Sequence, residues 1–310
     1  MKEIKFSSNN YIKSYQFYAF PLGILAYNDS VYQKWMVGRF IGITLGQVIQ
    51  YDERAYDDWE IIDQTLYKEL TEDTLDELIR YNIDNDQVIH LWGINEKYIP
   101  YTHAYGNYDF IHDLLIVGYD EFNNVAIVNY GEKNILSRKI ISKENLKKSF
   151  TERSQGRGFK ILWNEVKVMD TKEILADIKK YLCSDKPYEL KYYNKELNSK
   201  HDMLVGISAV KEFLNNLEKN FYRKSHLHSI CLLNEHKISM MNTLTYLNTI
   251  NIIDNEIVQE YNSVVRKFEI IKTSYMKILK KNSDKNVKKI ILDIQDAINL
   301  EVTILNKIFD

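Results

Sequence analysis

The glycine residues are distributed so unevenly that they divide this chain of 310 residues into two parts. Ten of the 11 glycines lie at or before Gly158, and only Gly206 follows. Because glycine marks turns and close backbone approaches, the first part is predicted to be rich in turns and the second part poor in them. We therefore predict two domains, over residues 1–168 and 169–310.

The second part carries apolar side chains at helical spacing in one segment after another. Asp170 or Thr171 can cap a first helix, and Asp254 can cap a later one. Long amphipathic segments joined by short polar turns are typical of a helical bundle. We predict an all-α C-terminal domain, whose long helices are also compatible with a homodimer.

The first part mixes helical and strand patterns, and its clearest feature is a β-hairpin. Residues 114–119 and 125–130 form two apolar runs, and the polar segment 120–124 separates them. Such a near-continuous apolar run predicts a strand buried on both faces, and the short turn predicts antiparallel pairing. The chain as a whole is therefore predicted to be α+β.

Two residues at the open end of this hairpin could carry chemistry. His112 stands directly before the first strand, and Asn129 stands near the end of the second. Opposite positions of an antiparallel pair are neighbours, so the two side chains can meet. An imidazole that transfers protons needs a partner to fix its tautomer, and an asparagine carbonyl can serve. A histidine before a strand is also commonly structural, and both interpretations stay open.

Composition excludes several classes of function. The formal net charge of −2 predicts no broad basic surface for nucleic acid. Cys183 and Cys231 show no metal-binding spacing, so neither a metal site nor a disulfide framework is expected. The polar segment 1–6 does not resemble a signal peptide, and no apolar run is long enough to span a membrane. We expect a cytoplasmic protein.

Tyrosine is unusually abundant, with 23 residues. Tyr98, Tyr101, Tyr105 and Tyr108 cluster shortly before the hairpin. A tyrosine ring combines an apolar body with a polar tip, so this cluster is a candidate substrate-binding surface. Half-buried structural tyrosines would give the same pattern.

The hairpin, with His112, the Gly118-Tyr119-Asp120 segment and Asn129, resembles the histidine hairpin of papain-like and bacteriocin-processing cysteine peptidases. The chain more broadly resembles the butirosin biosynthesis protein H family. The further segments that carry this resemblance are 9–16, 35–40, 98–101 and 233–237.

The resemblance implies a papain-like N-terminal domain, a helical C-terminal domain and an acyltransferase of natural-product (antibiotic) biosynthesis. Such enzymes move an acyl group from a carrier-protein thioester through a catalytic cysteine to an amine, forming an amide. The implied partners are an acyl or peptidyl carrier protein and a small-molecule amine. The implied cofactor is only the phosphopantetheine that the carrier bears.

The same resemblance assigns the nucleophile to position 14, with His112 and Asn129 completing the triad. The candidate oxyanion donors are the side chain of Asn9 or Asn10 and the backbone N–H of Ser14. Close relatives usually have aspartate where this chain has Asn129.

Position 14 departs from the pattern, because Ser14 stands where the family has cysteine. A serine hydroxyl is much harder to deprotonate than a thiol. Ser14 can be a working nucleophile, the mark of a catalytically silent relative that acts as a binding protein, or an engineered cysteine-to-serine substitution. A peptide-processing, protease-like module is a further alternative function.

Overall fold

The computed structural model describes residues 1–46, 48–53, 55–68, 70–131, 135–183, 204–223, 225–281 and 287–310. These residues form two compact units, one of residues 1–32 and 55–166 and the other of residues 33–54 and 167–310. The predicted division after residue 168 falls close to the observed one. The prediction of a continuous N-terminal domain was wrong, because residues 33–54 belong to the second unit.

The strands and helices follow one another in a mixed order along the chain. The strands are β1 (Lys2–Glu3), β2 (Ile43–Leu45), β3 (Ile49–Tyr51), β4 (Ile62–Tyr67), β5 (Val88–Asn95), β6 (Ile111–Tyr119), β7 (Asn124–Tyr130), β8 (Leu136–Ser142), β9 (Gln155–Ile161) and β10 (Leu204–Val205). The α-helices are α1 (Gln16–Leu25), α2 (Asp29–Met36), α3 (Ala55–Asp58), α4 (Leu75–Asp84), α5 (Lys143–Lys148), α6 (Thr171–Leu182), α7 (Gly206–Lys219), α8 (Ser225–Thr249), α9 (Asn255–Lys281) and α10 (Val287–Asn306). Within the described ranges, no helix is both long enough and apolar enough to cross a membrane.

The first unit is built on an antiparallel sheet of strand order β4-β9-β5-β6-β7-β8, with β1 added against β6. The predicted hairpin is confirmed as β6 and β7, which pair Leu115 with Val128. Its turn is closed by the Asp120 carboxylate, which accepts hydrogen bonds from the backbone N–H groups of Phe122 and Asn124, both at 2.9 Å. Local turn chemistry therefore fixes the register of the strand that carries His112.

Helix α4 supplies apolar side chains to the core of the first unit. Leu75, Ile79 and Ile83 share one cluster with strand residues such as Ile89 and Leu114. Each of these side chains is almost fully buried, and burial of a leucine or isoleucine contributes roughly 1.5–3 kcal/mol. The sheet that presents the hairpin is thus held rigidly from one side.

The second unit contains the predicted helices, but it is not all-helical as predicted. Strands β10, β2 and β3 form an antiparallel sheet in which Thr44 pairs with Val205 and Gln50. The backbone N–H of Ile49 also donates to the Ser229 hydroxyl of α8 at 3.1 Å. A short strand whose partner lies far away in the chain has no local pattern that identifies it, which explains the error.

The helical part of the second unit encloses a buried charged network. The ammonium of Lys237 on α8 lies 2.7 Å from the Glu301 carboxylate, 2.8 Å from the Tyr181 hydroxyl and 3.1 Å from His236 Nδ1. Tyr261 donates to the other oxygen of Glu301 at 2.6 Å. Lys237 and Glu301 are fully buried. All three ammonium hydrogens therefore have an acceptor, as a buried charge requires.

Two pKa shifts agree with this arrangement. Burial lowers the pKa of Lys237, and the Glu301 carboxylate opposes that effect. Burial and the neighbouring ammonium lower the pKa of His236 well below its ordinary value, which favours the neutral ring. A neutral His236 can accept from Lys237 at Nδ1 and donate from Nε2 to the Ile41 carbonyl oxygen, 2.9 Å away.

Candidate functional site

His112 is the second residue of β6, near the exposed first end of this central strand. Its register partner on the neighbouring strand β5 is Ile94. The side chain is 38% exposed, and its ring stacks on Phe110 with centroids 5.2 Å apart and an interplanar angle of 19°. One ring face is thus fixed while part of the imidazole stays accessible to solvent.

A buried carboxylate lies against this imidazole. Glu96 follows β5 directly, and its side chain is 8% exposed, with Oε1 3.5 Å from His112 Nδ1. Its backbone N–H donates to the Phe110 carbonyl oxygen at 2.8 Å, which ties the turn to the strand before His112. At 3.5 Å the two atoms are too far apart for a formed hydrogen bond, and the contact becomes an ion pair when the ring is protonated.

The position of Glu96 depends on an irregularity in β5. The register between β5 and β6 shifts between Leu91 and Ile94, and Gly93 in that interval has φ +75°. A side chain at Gly93 would place a Cβ atom 2.5 Å from the Arg153 carbonyl oxygen. A glycine is required here both for the left-handed backbone and for the close approach.

The environment of His112 changes its protonation equilibrium. Burial by itself would lower the pKa of His112, but the contact with Glu96 and the negative charges of Glu96 and Asp113 outweigh it. The pKa of His112 is therefore raised above its ordinary value. A half-exposed imidazole with this property is suited to take up and return protons near neutral pH.

Asn129 is linked to this pair, but not in the predicted way. Its amide nitrogen donates to Glu96 Oε1 at 2.9 Å, and its amide oxygen accepts from Gln16 Nε2 at 2.9 Å and from the Tyr130 backbone N–H at 2.7 Å. The expected hydrogen bond from His112 to the Asn129 carbonyl is replaced. Glu96 contacts the imidazole, and Asn129 holds Glu96.

Ser14 lies between two anchors on the same hairpin. The carbonyl oxygen of Lys13 accepts a hydrogen bond from the Tyr130 hydroxyl at the end of β7. On the other side, Gln16 Nε2 donates to the Asp113 carbonyl oxygen at 2.8 Å as well as to Asn129. The segment that carries Ser14 is therefore fastened to the strands that carry His112 and Asn129. Ser14 Oγ itself is shielded from solvent.

Of the two predicted side-chain oxyanion donors, Asn10 does not fit that role. Asn10 is 2% exposed, and its amide nitrogen already donates to the carbonyl oxygens of Ile12 and Ala19 at 3.1 and 2.9 Å. Asn9 is exposed, and its backbone N–H donates to the Ser7 hydroxyl. The remaining candidates are the Asn9 side chain, the backbone N–H of Ser14 and the first N–H groups of α1. The N–H of Tyr18 in that turn already donates to the Tyr15 carbonyl oxygen at 3.1 Å.

The four predicted tyrosines are all exposed, between 38% for Tyr98 and 52% for Tyr108. Tyr108 is connected to the site, because its ring packs edge-on to Phe110 at 6.5 Å. Tyr101 lies under the Lys139 ammonium at 5.3 Å. Tyr105 has an exposed ring in the same loop.

A second histidine–carboxylate pair lies beside the first. His90 is buried, and its Nε2 lies 3.2 Å from Asp113 Oδ2 while its Nδ1 lies 2.9 Å from the Tyr56 hydroxyl. Because the ring is inaccessible, we interpret this pair as a support that holds Asp113 in place. Among the described residues, no group of three or more His, Cys, Asp or Glu side chains is placed to hold a metal ion.

Sequence reasoning missed Glu96 and Phe110, and it placed Gln16 only within the segment that resembles the nucleophile region. The position of Glu96 follows from the pairing of β5 with β6, which no local pattern shows. Phe110 carried a detectable signal, because an aromatic residue two positions before a strand-borne His112 shares its face.

No protein-family model matches the chain, and no curated protein sequence matches it.

Proposed function

We propose that the first unit is a papain-like acyl-transfer site that moves an acyl group from a carrier-protein thioester through position 14 to an amine. The observation that carries this proposal is the pair of anchors around Ser14. Lys13 and Gln16 are both bonded to the hairpin that presents His112. A nucleophile candidate and an imidazole with a raised pKa are thereby fastened to one scaffold.

The reaction has two balanced halves. In the first, His112 takes the hydroxyl proton of Ser14 while the Oγ–C bond forms, the thioester C–S bond breaks, and the thiol leaves with the proton. In the second, the amine nitrogen bonds to the acyl carbon, the C–Oγ bond breaks, and the amine proton passes through His112 back to Ser14. The product is an amide.

The partners follow from this chemistry. The acyl donor is a thioester on the phosphopantetheine of an acyl or peptidyl carrier protein, and the acceptor is a small primary amine. The exposed rings of Tyr98, Tyr101, Tyr105 and Tyr108 offer the substrate an apolar surface with polar tips, and Tyr108 is connected to His112 through the ring of Phe110. The protein would carry out this acyl transfer in the cytoplasm, as one step of a natural-product pathway.

Acyl-N-acetylcysteamine thioesters of increasing chain length provide the test. Wild type and Ser14→Cys should each gain the mass of the acyl group on residue 14, read by intact and peptide mass spectrometry. Hydroxylamine, used as a general acceptor, should release the adduct as the hydroxamate. Ser14→Ala and His112→Ala should give no adduct.

His103→Ala is the matched control, because His103 is exposed in the same loop region and the site does not use it. It should acylate at the wild-type rate. If neither wild type nor Ser14→Cys is acylated by any thioester of the series, the acyl-transfer function is refuted.

One observation favours a second function. The Ser14 hydroxyl oxygen is shielded from solvent, so a substrate can reach it only after a local movement. A binding protein that retains the fold without catalysis would tolerate this arrangement. In that case Ser14→Ala would leave binding of an acyl carrier protein unchanged in calorimetry, whereas Tyr108→Ala would weaken it.

A further inference from the structure

The residue that lies beside the His112 imidazole is the Glu96 carboxylate and not an asparagine. A carboxylate in this position bears on whether serine is the native residue at position 14. We propose that Ser14, His112 and Glu96 form a serine-type triad, with Glu96 as the residue that positions and charges the imidazole. The inference rests on the proposed function in that it takes position 14 as the nucleophile. It goes further by making serine the native nucleophile of this site.

The hydrogen bonds around Asn129 leave the orienting role to Glu96. Both ends of the Asn129 amide are used, the nitrogen on Glu96 and the oxygen on Gln16 and the Tyr130 backbone. The Glu96 carboxylate that receives the Asn129 bond is the group next to His112 Nδ1. The relay Gln16–Asn129–Glu96 thus fixes a buried carboxylate against the imidazole.

A serine nucleophile at position 14 and a carboxylate at position 96 suit each other chemically, because serine requires the stronger base that a carboxylate provides. A thiol ionises easily and works with a neutral asparagine beside the histidine, whereas a serine hydroxyl needs a stronger base. A carboxylate at Nδ1 supplies this, because it stabilises the imidazolium that forms as the hydroxyl proton arrives. It also favours the tautomer with the proton on Nδ1, which leaves the Nε2 lone pair for Ser14.

The raised pKa of His112 is consistent with this role, and the charged groups that act on the ring are Glu96 and Asp113. Asp113 is already bonded to the buried His90, and its carbonyl oxygen accepts from Gln16. Glu96 alone of these two carboxylates lies against an imidazole nitrogen of His112.

A fluorophosphonate probe tests the triad without a carrier protein. The Ser14 Oγ–P bond forms, the P–F bond breaks, fluoride leaves, and the hydroxyl proton passes to His112 and then to water. We expect one adduct on Ser14 in wild type and none in Ser14→Ala. Glu96→Gln, which keeps the size of the side chain, should lower the labelling rate on the order of 10²–10⁴-fold.

Asp109→Asn is the control, because Asp109 is an exposed carboxylate that accepts from Asn95, the neighbour of Glu96. It should label within about threefold of wild type. In a Ser14→Cys background, alkylated by iodoacetamide, Glu96→Gln should slow the reaction less than about tenfold, because a thiol depends less on the base. An equal loss in both backgrounds, or labelling of Glu96→Gln at the wild-type rate, overturns the inference.

A titration separates this inference from the carrier chemistry. The pKa of His112, followed by NMR of the ring protons, should fall in Glu96→Gln and stay unchanged in Asp109→Asn. An unchanged pKa in Glu96→Gln, or the absence of a fluorophosphonate adduct on Ser14 in wild type, refutes the triad. Failure of all thioesters alongside Glu96-dependent labelling refutes only the proposed acyl transfer.

Discussion

Replacing Lys237 with methionine would remove the ammonium from the buried network of the second unit and leave the rest of its packing nearly unchanged. The Glu301 carboxylate would keep the Tyr261 and Tyr181 hydroxyls at 2.6 and 3.0 Å, but it would lose its counter-charge. An unpaired buried carboxylate is expensive, and the fold can avoid that cost by binding a proton.

The free-energy cost of this protonation sets the loss of stability. Protonating a glutamate with an ordinary pKa of about 4.3 costs ~1.4 kcal/mol for each pH unit above that value, so about 3.7 kcal/mol at pH 7 and about 1 kcal/mol at pH 5. We expect Lys237→Met to lower the free energy of unfolding of the second unit by about 3–4 kcal/mol at pH 7. The folded variant binds a proton that the unfolded chain lacks, so its stability falls as the pH rises from 5 to 7.

Hydrogen exchange of α8 and α10 peptides in increasing urea measures this unit separately from the first. Lys307→Met is the matched control, because Lys307 also lies 2.7 Å from a glutamate, Glu260, but is 40% exposed. Its loss should not be resolvable. The reasoning is refuted if Lys237→Met is as stable as the control at pH 7, or if its deficit is the same at pH 5.

Three further predictions concern single side chains. Asn10→Asp should lower the free energy of unfolding by about 2–4 kcal/mol in urea denaturation, because a carboxylate would face two backbone carbonyl oxygens. The control Asn9→Asp, at an exposed neighbouring position, should lower it by about 0.5 kcal/mol or less, and equal losses in the two variants would contradict this account. Gly93→Ala should destabilise by about 2–4 kcal/mol in the same assay, and a wild-type midpoint would show that the close approach is relieved easily. Burial raises the pKa of Cys231 to about 11, so roughly 0.1% of this thiol is thiolate at pH 8. A disulfide reagent should therefore modify the exposed Cys183 first, and equal reaction rates of the two thiols would argue against the burial of Cys231.

Local patterns in the sequence determined the hairpin and the helices. The strands β6 and β7 follow from two apolar runs and the polar turn between them, in which Asp120 bonds backbone N–H groups within four residues. Helix α6 was expected to begin with Asp170 or Thr171 as its cap, and of these two it is the Asp170 carboxylate that accepts from the Lys172 backbone N–H, at 2.8 Å. Such features need only neighbours along the chain, so periodicity and capping rules suffice.

Only the tertiary structure decided which side chains meet. The contact of Glu96 with His112 depends on the pairing of β5 with β6 and on the irregularity at Gly93. The pairing of Lys237 with Glu301 joins two helices whose charged residues look solvent-exposed in the sequence. Charge neutralisation in a buried site depends on distance in space, which the spacing of residues along the chain does not determine.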